Sequence, residues 1–157
     1  MSFEFSIREA TFAEDAIIAR HFYQMWLDVG IEENNIQENW ESITLEFIKS
    51  ARQNLYYKGF LAEIDGVIVG STSCQLFSGL YPNILNEKAR KYGYIWGVYV
   101  EKSYRRNGIA KQLTNTAVEY LKTIGCKRAV LNASPAGKPV YESMGFISSN
   151  AMHLDLL

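Results

Sequence analysis

Apolar and polar positions change period several times along this chain, and each change marks a predicted element. Residues 6–9 alternate, with Ile7 between polar neighbours, which predicts a short first strand. Thr11 followed three residues later by Glu14 fits a capping box. Ile17, Ile18, Phe22, Met25, Trp26 and Val29 then recur at helical spacing up to a stop at Gly30. A second helix is expected over about 39–52, with Trp40, Ile43, Phe47 and Ile48 on its inner side. Two strands, 56–64 and 67–76, flank Asp65-Gly66, a two-residue hairpin signal because both residues tolerate positive φ. Residues 77–90, with Gly79, Pro82 and Asn83, read as a loop before a strand at about 91–100. A helix from near Gly108 to about Ile124 stops at Gly125. It is followed by a strand at 128–132, a short helix at 136–143 stopped by Gly145, and a closing hairpin or strand pair over 146–156. The order is that of a mixed α/β fold, in which 91–132 forms a right-handed parallel crossover. No repeat or linker interrupts it, so one domain over 1–157 is expected.

Composition agrees with a packed core: 48% of residues are hydrophobic and only 21% charged, unlike a disordered chain. No apolar run approaches the roughly 18 residues of a membrane span, and the first residues lack a basic start and a long apolar block. The expected compartment is therefore the cytoplasm, with no membrane partner. Two cysteines without a CxxC and two histidines give no metal-site pattern, so no metal is expected. Charge is uneven: residues 1–100 carry 8 Lys/Arg against 13 Asp/Glu, and residues 101–157 carry 8 against 4. That asymmetry points to an anion site in the second half, while the net charge of −1 argues against a nucleic-acid binder.

The sharpest segment runs from Val98 to Leu113, V-Y-V-E-K-S-Y-R-R-N-G-I-A-K-Q-L. A strand ends, a short loop carries two arginines and a glycine, and a long helix begins. Helix N-termini present unpaired N–H groups and a partial positive charge, Gly108 permits close backbone approach, and arginine forks suit phosphate oxygens. The segment is a diphosphate cradle by physics. It is neither G-x-G-x-x-G nor G-x-x-x-x-G-K-[ST].

Arg105–Ala110 matches the (Q/R)-x-x-G-x-(G/A) pattern of the GNAT N-acetyltransferase superfamily, and Leu131–Phe146, L-N-A-S-P-A-G-K-P-V-Y-E-S-M-G-F, resembles that family's second hallmark. The predicted element order resembles its whole fold, a central mixed sheet with splayed parallel strands flanked by helices. The resemblance implies acetyl-CoA as acyl donor and transfer to a small-molecule or peptide amine by direct attack in a ternary complex. It also implies positions. The backbone of Val98, Tyr99 and Val100 would pair with the pantetheine arm, with Gly97 marking a bulge that starts the splay. The amides of Arg105, Arg106, Asn107, Gly108, Ile109, Ala110 and Lys111 would hold the diphosphate. Tyr141 would be the acid that protonates the leaving thiolate, a role suited to a phenol with a reference pKa of about 10 against about 8.5 for a thiol. Asn132 and Ser134 are further cofactor candidates; Ser134 stands where many members have asparagine.

For the base, some members place a glutamate where this chain has Tyr94; Glu101 and His153 are the alternatives, with a water relay beside them. Between Arg20 and Lys49 there is no Lys or Arg, while Asp28, Glu32, Glu33, Glu38, Glu41 and Glu46 occur, an expected acidic rim for a cationic amine. Trp26, Trp40, Phe47, Tyr81, Tyr92 and Trp96 are expected mainly in the core. Exposed strand edges allow a homodimer. A non-catalytic acyl-CoA-binding module, another acyl donor and an oxygen acceptor stay open as alternatives.

Overall fold

The computed structural model describes residues 4–157. The elements are β1 (Ser6–Glu9), α1 (Asp15–Asp28), α2 (Trp40–Asn54), β2 (Lys58–Ile64), β3 (Val67–Leu76), β4 (Tyr92–Val100), α3 (Ile109–Thr123), β5 (Arg128–Val130) and α4 (Lys138–Ser143). The five strands form one sheet in the order β1-β2-β3-β4-β5. The first four run antiparallel and β5 joins β4 in parallel through the α3 crossover. This is the expected mixed α/β architecture.

Alternation along the strands feeds two layers. Phe60, Ala62, Ile64, Val69, Ile95 and Val100 meet Ile109, Leu113, Ala117 and Leu121 of α3. On the other face Leu61 and Tyr57 meet Ile18 of α1 and Ile48 and Ala51 of α2. Leu113 and Leu121 are almost fully buried, each stabilising the fold by roughly 1.5–3 kcal/mol. Gly93 is obligatory beneath α3, since a Cβ there would stand 2.5 Å from Leu121.

Local signals hold where the backbone needs them. Glu14 accepts a hydrogen bond from the Thr11 amide at 2.9 Å and so caps the turn that leads into α1. Asp65 and Gly66 both have positive φ, 49° and 79°, the primed hairpin turn between β2 and β3. Gly97 has φ 66°. Ser71 pairs with Tyr99 and Ser73 with Trp96, so Thr72 of β3 faces both Gly97 and Val98, a β-bulge at the expected residue.

Two expectations fail: Ile43 and Phe47 of α2 are exposed rather than on its inner side, which Thr44, Ile48 and Ala51 supply, and the chain end is not a strand pair. Residues 147–157 form no strand, and Ile147, Met152, Leu154 and Leu156 are exposed instead of lying in a closing strand pair. The alternation of residues 152–156 is strand-like, but β5 offers only three residues of ladder, too short an edge to order it.

Candidate active site

The sheet opens at one point. β4 and β5 pair only over Tyr92↔Arg128, Gly93↔Ala129 and Tyr94↔Val130, while β4 continues to Val100. Glu101 N donates to Val69 O at 2.8 Å, so strand alternation turns the groups of Val100 and Val98 toward the open side. The Val100 carbonyl is taken there by Arg105 Nε at 2.7 Å. Val98 and the Val100 amide remain an edge that an amide-bearing arm can pair with, like an added strand. Val98 packs its side chain on the α3 core and meets the slot through backbone alone, whereas the Tyr99 backbone pairs with Ser71 of β3 and its ring lies toward His21, so Tyr99 does not offer the slot the pairing expected of it.

At the end of that edge the chain makes a turn Lys102–Tyr104, then passes through Arg106 (φ 64°) and Gly108 (φ 79°) into α3. A Cβ built on Gly108 meets nothing within 4 Å, so its approach side is open. The backbone ladder of α3 starts with Gln112 N to Gly108 O, which leaves the Ile109, Ala110 and Lys111 amides ahead of it. This arrangement fits a diphosphate, with several N–H groups converging at the positive end of a fifteen-residue helix.

The two arginines divide their work. Arg105 donates to Asp28 Oδ2 at 2.7 Å and to Val100 O, and its guanidinium carbon lies 5.4 Å from the Tyr99 ring centroid. It shapes the loop through Nε and Nη2, and its amide donates to the Lys102 carbonyl at 3.3 Å. Asn107 braces the same turn by donating to Tyr104 O and Arg105 O, both at 3.0 Å. Arg106 and Lys111 are exposed and make no ion pair among the described residues.

At the point of opening, Asn132 Nδ2 donates to the Tyr94 hydroxyl at 2.9 Å, and Tyr94 stacks on Phe77 with centroids 5.6 Å apart. Asn132 thus spans the two strands where they part. Ser134 is used differently: its Oγ accepts the Gly137 amide at 3.1 Å and caps the turn into α4. Tyr141, half-buried on α4, packs edge-on against Phe146, and Gly137 has no side chain because a Cβ would crowd the Tyr141 ring at 3.0 Å. Burial pushes the Tyr141 phenol up, which keeps its proton in place at neutral pH.

Neither Glu101 nor His153 stands at the opening as a free acceptor, and Tyr94 does not replace the glutamate there. Tyr94 is held as a phenol by burial. Glu101 lies at the other end of β4 and pairs with His21 Nε2 at 3.3 Å. His153 belongs to the exposed segment after α4.

The acidic run from the end of α1 into α2 is partly spent, Asp28 on Arg105 and Glu33, in the connecting segment, on the Tyr23 hydroxyl at 2.9 Å. The aromatics also divide. Trp40 stacks on Tyr23 at 4.3 Å, whereas Phe22 and Phe47 meet Trp96 edge-on at 5.0 and 5.5 Å and leave Trp26 and Phe47 about half exposed. Tyr81 is exposed rather than core.

Two clusters have no counterpart in the sequence reading. His21, buried on α1, holds Ser71 Oγ at 2.8 Å with Nδ1 and Glu101 with Nε2. Arg90 and Arg128 both lie against Tyr92, at 4.8 and 4.9 Å from the ring centroid. Both depend on strand register and helix placement, which local sequence does not carry.

A sheet that parts beside a helix N-terminus on an α-crossover defines a mixed α/β protein with an open strand edge leading to an anion-ready turn. The sequence pattern of the Acetyltransferase (GNAT) family matches residues 19–146, and the chain belongs to that family. It is 33% identical over 106 residues to the glucosamine 6-phosphate N-acetyltransferase of Trypanosoma brucei brucei, covering 67% of this chain and 69% of that protein. Among solved structures, a "predicted acetyltransferase with acetyl-CoA" from Clostridium acetobutylicum superposes with a TM-score of 0.81 at 25% identity, over 98% of this chain and 97% of that one. A GCN5-related N-acetyltransferase from Ralstonia eutropha shares the fold with a TM-score of 0.79 at 23% identity, over 98% and 99%.

Proposed function

We propose that the chain transfers an acetyl group from acetyl-CoA to a primary amine by direct attack in a ternary complex. The observation that carries this reading is the unpaired edge of β4 leading straight into the Gly108 turn, one continuous track for an amide-bearing arm and its diphosphate. Acetyl-CoA in the Clostridium relative supports the choice of cofactor. When bound, it supplies the activated thioester; the chain supplies position and protons. Val98 and the Val100 amide would align the arm, and the amides of residues 106–111 would hold the diphosphate. Tyr141, kept protonated by burial, would give its proton to the departing sulfur. Asn132 and Tyr94 tie β5 to β4 at the point where the two strands part and fix the width of the opening. Cys74, whose thiol burial pushes up to about 12, is unsuited to a covalent acyl-enzyme.

Two measurements test the reading: calorimetric titration with coenzyme A and acetyl-CoA, and thiol release with acetyl-CoA over a panel of amines. Saturable heat and amine-dependent thiol release are expected. Binding without release for any amine would leave an acyl-CoA-binding module, and no binding at all would end the proposal.

A further inference from the structure

On the face of the sheet opposite α3, β4 and β5 carry a row of side chains that ends at the opening. The face is fixed by Gly93, whose missing side chain points at Leu121 of α3, so Tyr92 and Tyr94 point the other way. Arg128 of β5 stands directly beside Tyr92, and Val130 beside Tyr94. Arg90, two residues before Tyr92, reaches the same ring.

This cluster is unusual in its charge. Two guanidinium groups lie within 5 Å of one tyrosine ring, and Lys88 and Lys127 adjoin them, the Lys127 ammonium donating to the Lys88 carbonyl. Arg90 also donates to the Tyr81 hydroxyl at 2.5 Å and lies 5.3 Å from its ring centroid. The one carboxylate in the group, Glu87, faces Lys91 at 3.7 Å. Among the described residues no Asp or Glu pairs with Arg90, Arg128, Lys88 or Lys127. Stacking on an aromatic face fixes a guanidinium plane while leaving its in-plane N–H edge free for a carboxylate or phosphate fork. Phe77, Tyr81, Arg90 and Tyr92 line a cleft of about 110 Å³ together with Glu87 and its partner Lys91, room for an anionic group rather than a lone water, and Arg128 borders it across the Tyr92 ring.

We infer that the acceptor amine carries a phosphate or carboxylate, and that Arg90 and Arg128 hold this anion while the amine reaches the opening at Tyr94 and Asn132. The inference rests on the acetyltransferase reading and deepens it. It replaces the acidic rim as the selector of the acceptor. Strand rise sets the span: Tyr92 is two residues, roughly 7 Å, from Tyr94, so amine and anion should be separated by roughly 7–10 Å.

The test compares thiol release for matched amines with and without an anion. The probes are 6-aminohexanoate against hexylamine, 5-aminopentyl phosphate against 5-aminopentanol, and a hexosamine with and without a terminal phosphate. The two acidic series separate carboxylate from phosphate. An anionic member should have kcat/KM about tenfold or more above its partner in at least one pair, mainly through KM, with the advantage shrinking as salt rises. In the double variant Arg90→Gln, Arg128→Gln the ratio within that pair should fall to about 1, while the heat of coenzyme A binding stays as in the parent. Equal or better rates for the neutral member in every pair overturn the inference. So does an anion preference that survives the double variant, or coenzyme A binding without turnover of any anionic amine. Absence of coenzyme A binding would instead strike the acetyltransferase reading beneath it.

Discussion

Arg105 Nη2 reaches Asp28 Oδ2 at 2.7 Å across 77 residues of chain, tying the last turn of α1 to the loop that opens α3. Burial opposes ionisation of Asp28, yet hydrogen bonds from Arg105 and Gln24 hold its carboxyl below the ordinary range. The same helix grips the start of that loop seven residues earlier, where His21 meets Glu101. α1 therefore braces the turn that opens α3 at two points.

Replacing Asp28 by Asn should loosen the turn and weaken coenzyme A binding by about 3–10-fold, the scale of a partly exposed charge-assisted pair. Arg105→Lys should do the same, because one ammonium cannot serve Val100 O and Asp28 with a planar fork. Calorimetry at constant ionic strength reads the effect. An unchanged Kd in both variants would mean the turn keeps its shape without this tie.

Tyr141→Phe removes the phenolic proton and leaves the ring packed on Phe146. Turnover should drop by about 10–1000-fold with coenzyme A affinity little altered. Because burial raises the Tyr141 phenol, the parent should keep its rate to alkaline pH, with loss setting in only above about 10. A rate unmoved by the substitution would remove Tyr141 from the chemistry.

Gly97→Ala tests the bulge. Space is not limiting, since the nearest atom to an added Cβ is Phe22 Cδ1 at 3.6 Å, but φ is 66°. The left-handed conformation should cost about 1–2 kcal/mol in a non-glycine residue, lowering Tm by roughly 2–8 °C. A thermal melt that does not shift would show that the strand relaxes out of the bulge.

His21 supplies the pH dependence. Burial lowers its pKa from the ordinary 6.5, an effect that outweighs the attraction of Glu101. The unfolded chain therefore binds the proton more readily than the folded one. Stability is complete above 6.5 and falls as pH drops through 6.5 toward the lower folded value. The parent should melt a few degrees lower at pH 5.5 than at 7.5. Glu14, held down at about 2 chiefly by the Arg8 hydrogen bond, titrates well outside that window. His21→Gln should flatten the profile whatever its own Tm, and an equally steep profile in that variant would assign the slope elsewhere.

The features legible before any coordinates were those written in local backbone chemistry. Asp65-Gly66 announces the positive φ of its hairpin turn, and Gly97 and Gly108, read as a bulge and a close backbone approach, take φ of 66° and 79°. Arg105 shows the limit: its motif position is plain, but its partner lies on another helix, and only the fold reveals that it shapes the loop. Arg90, Tyr92 and Arg128 were unreadable for a similar reason, because Arg128 meets Tyr92 only once the parallel register is set. The segment after α4 misled in the opposite direction, with a good strand pattern and no neighbouring edge long enough to pair with it.

The extra residue at Gly97–Val98 resets the phase of β4 midway. Ahead of it Tyr94 and Trp96 look toward the helical pair; behind it Val98 and Val100 face α3 and Tyr99 is returned to His21. Point changes along this strand perturb one contact apiece. Adding or removing a single codon there would invert every downstream side chain, sending a tyrosine into the oil beneath α3 and valines out to α1, so length, more than composition, is what this strand has to conserve.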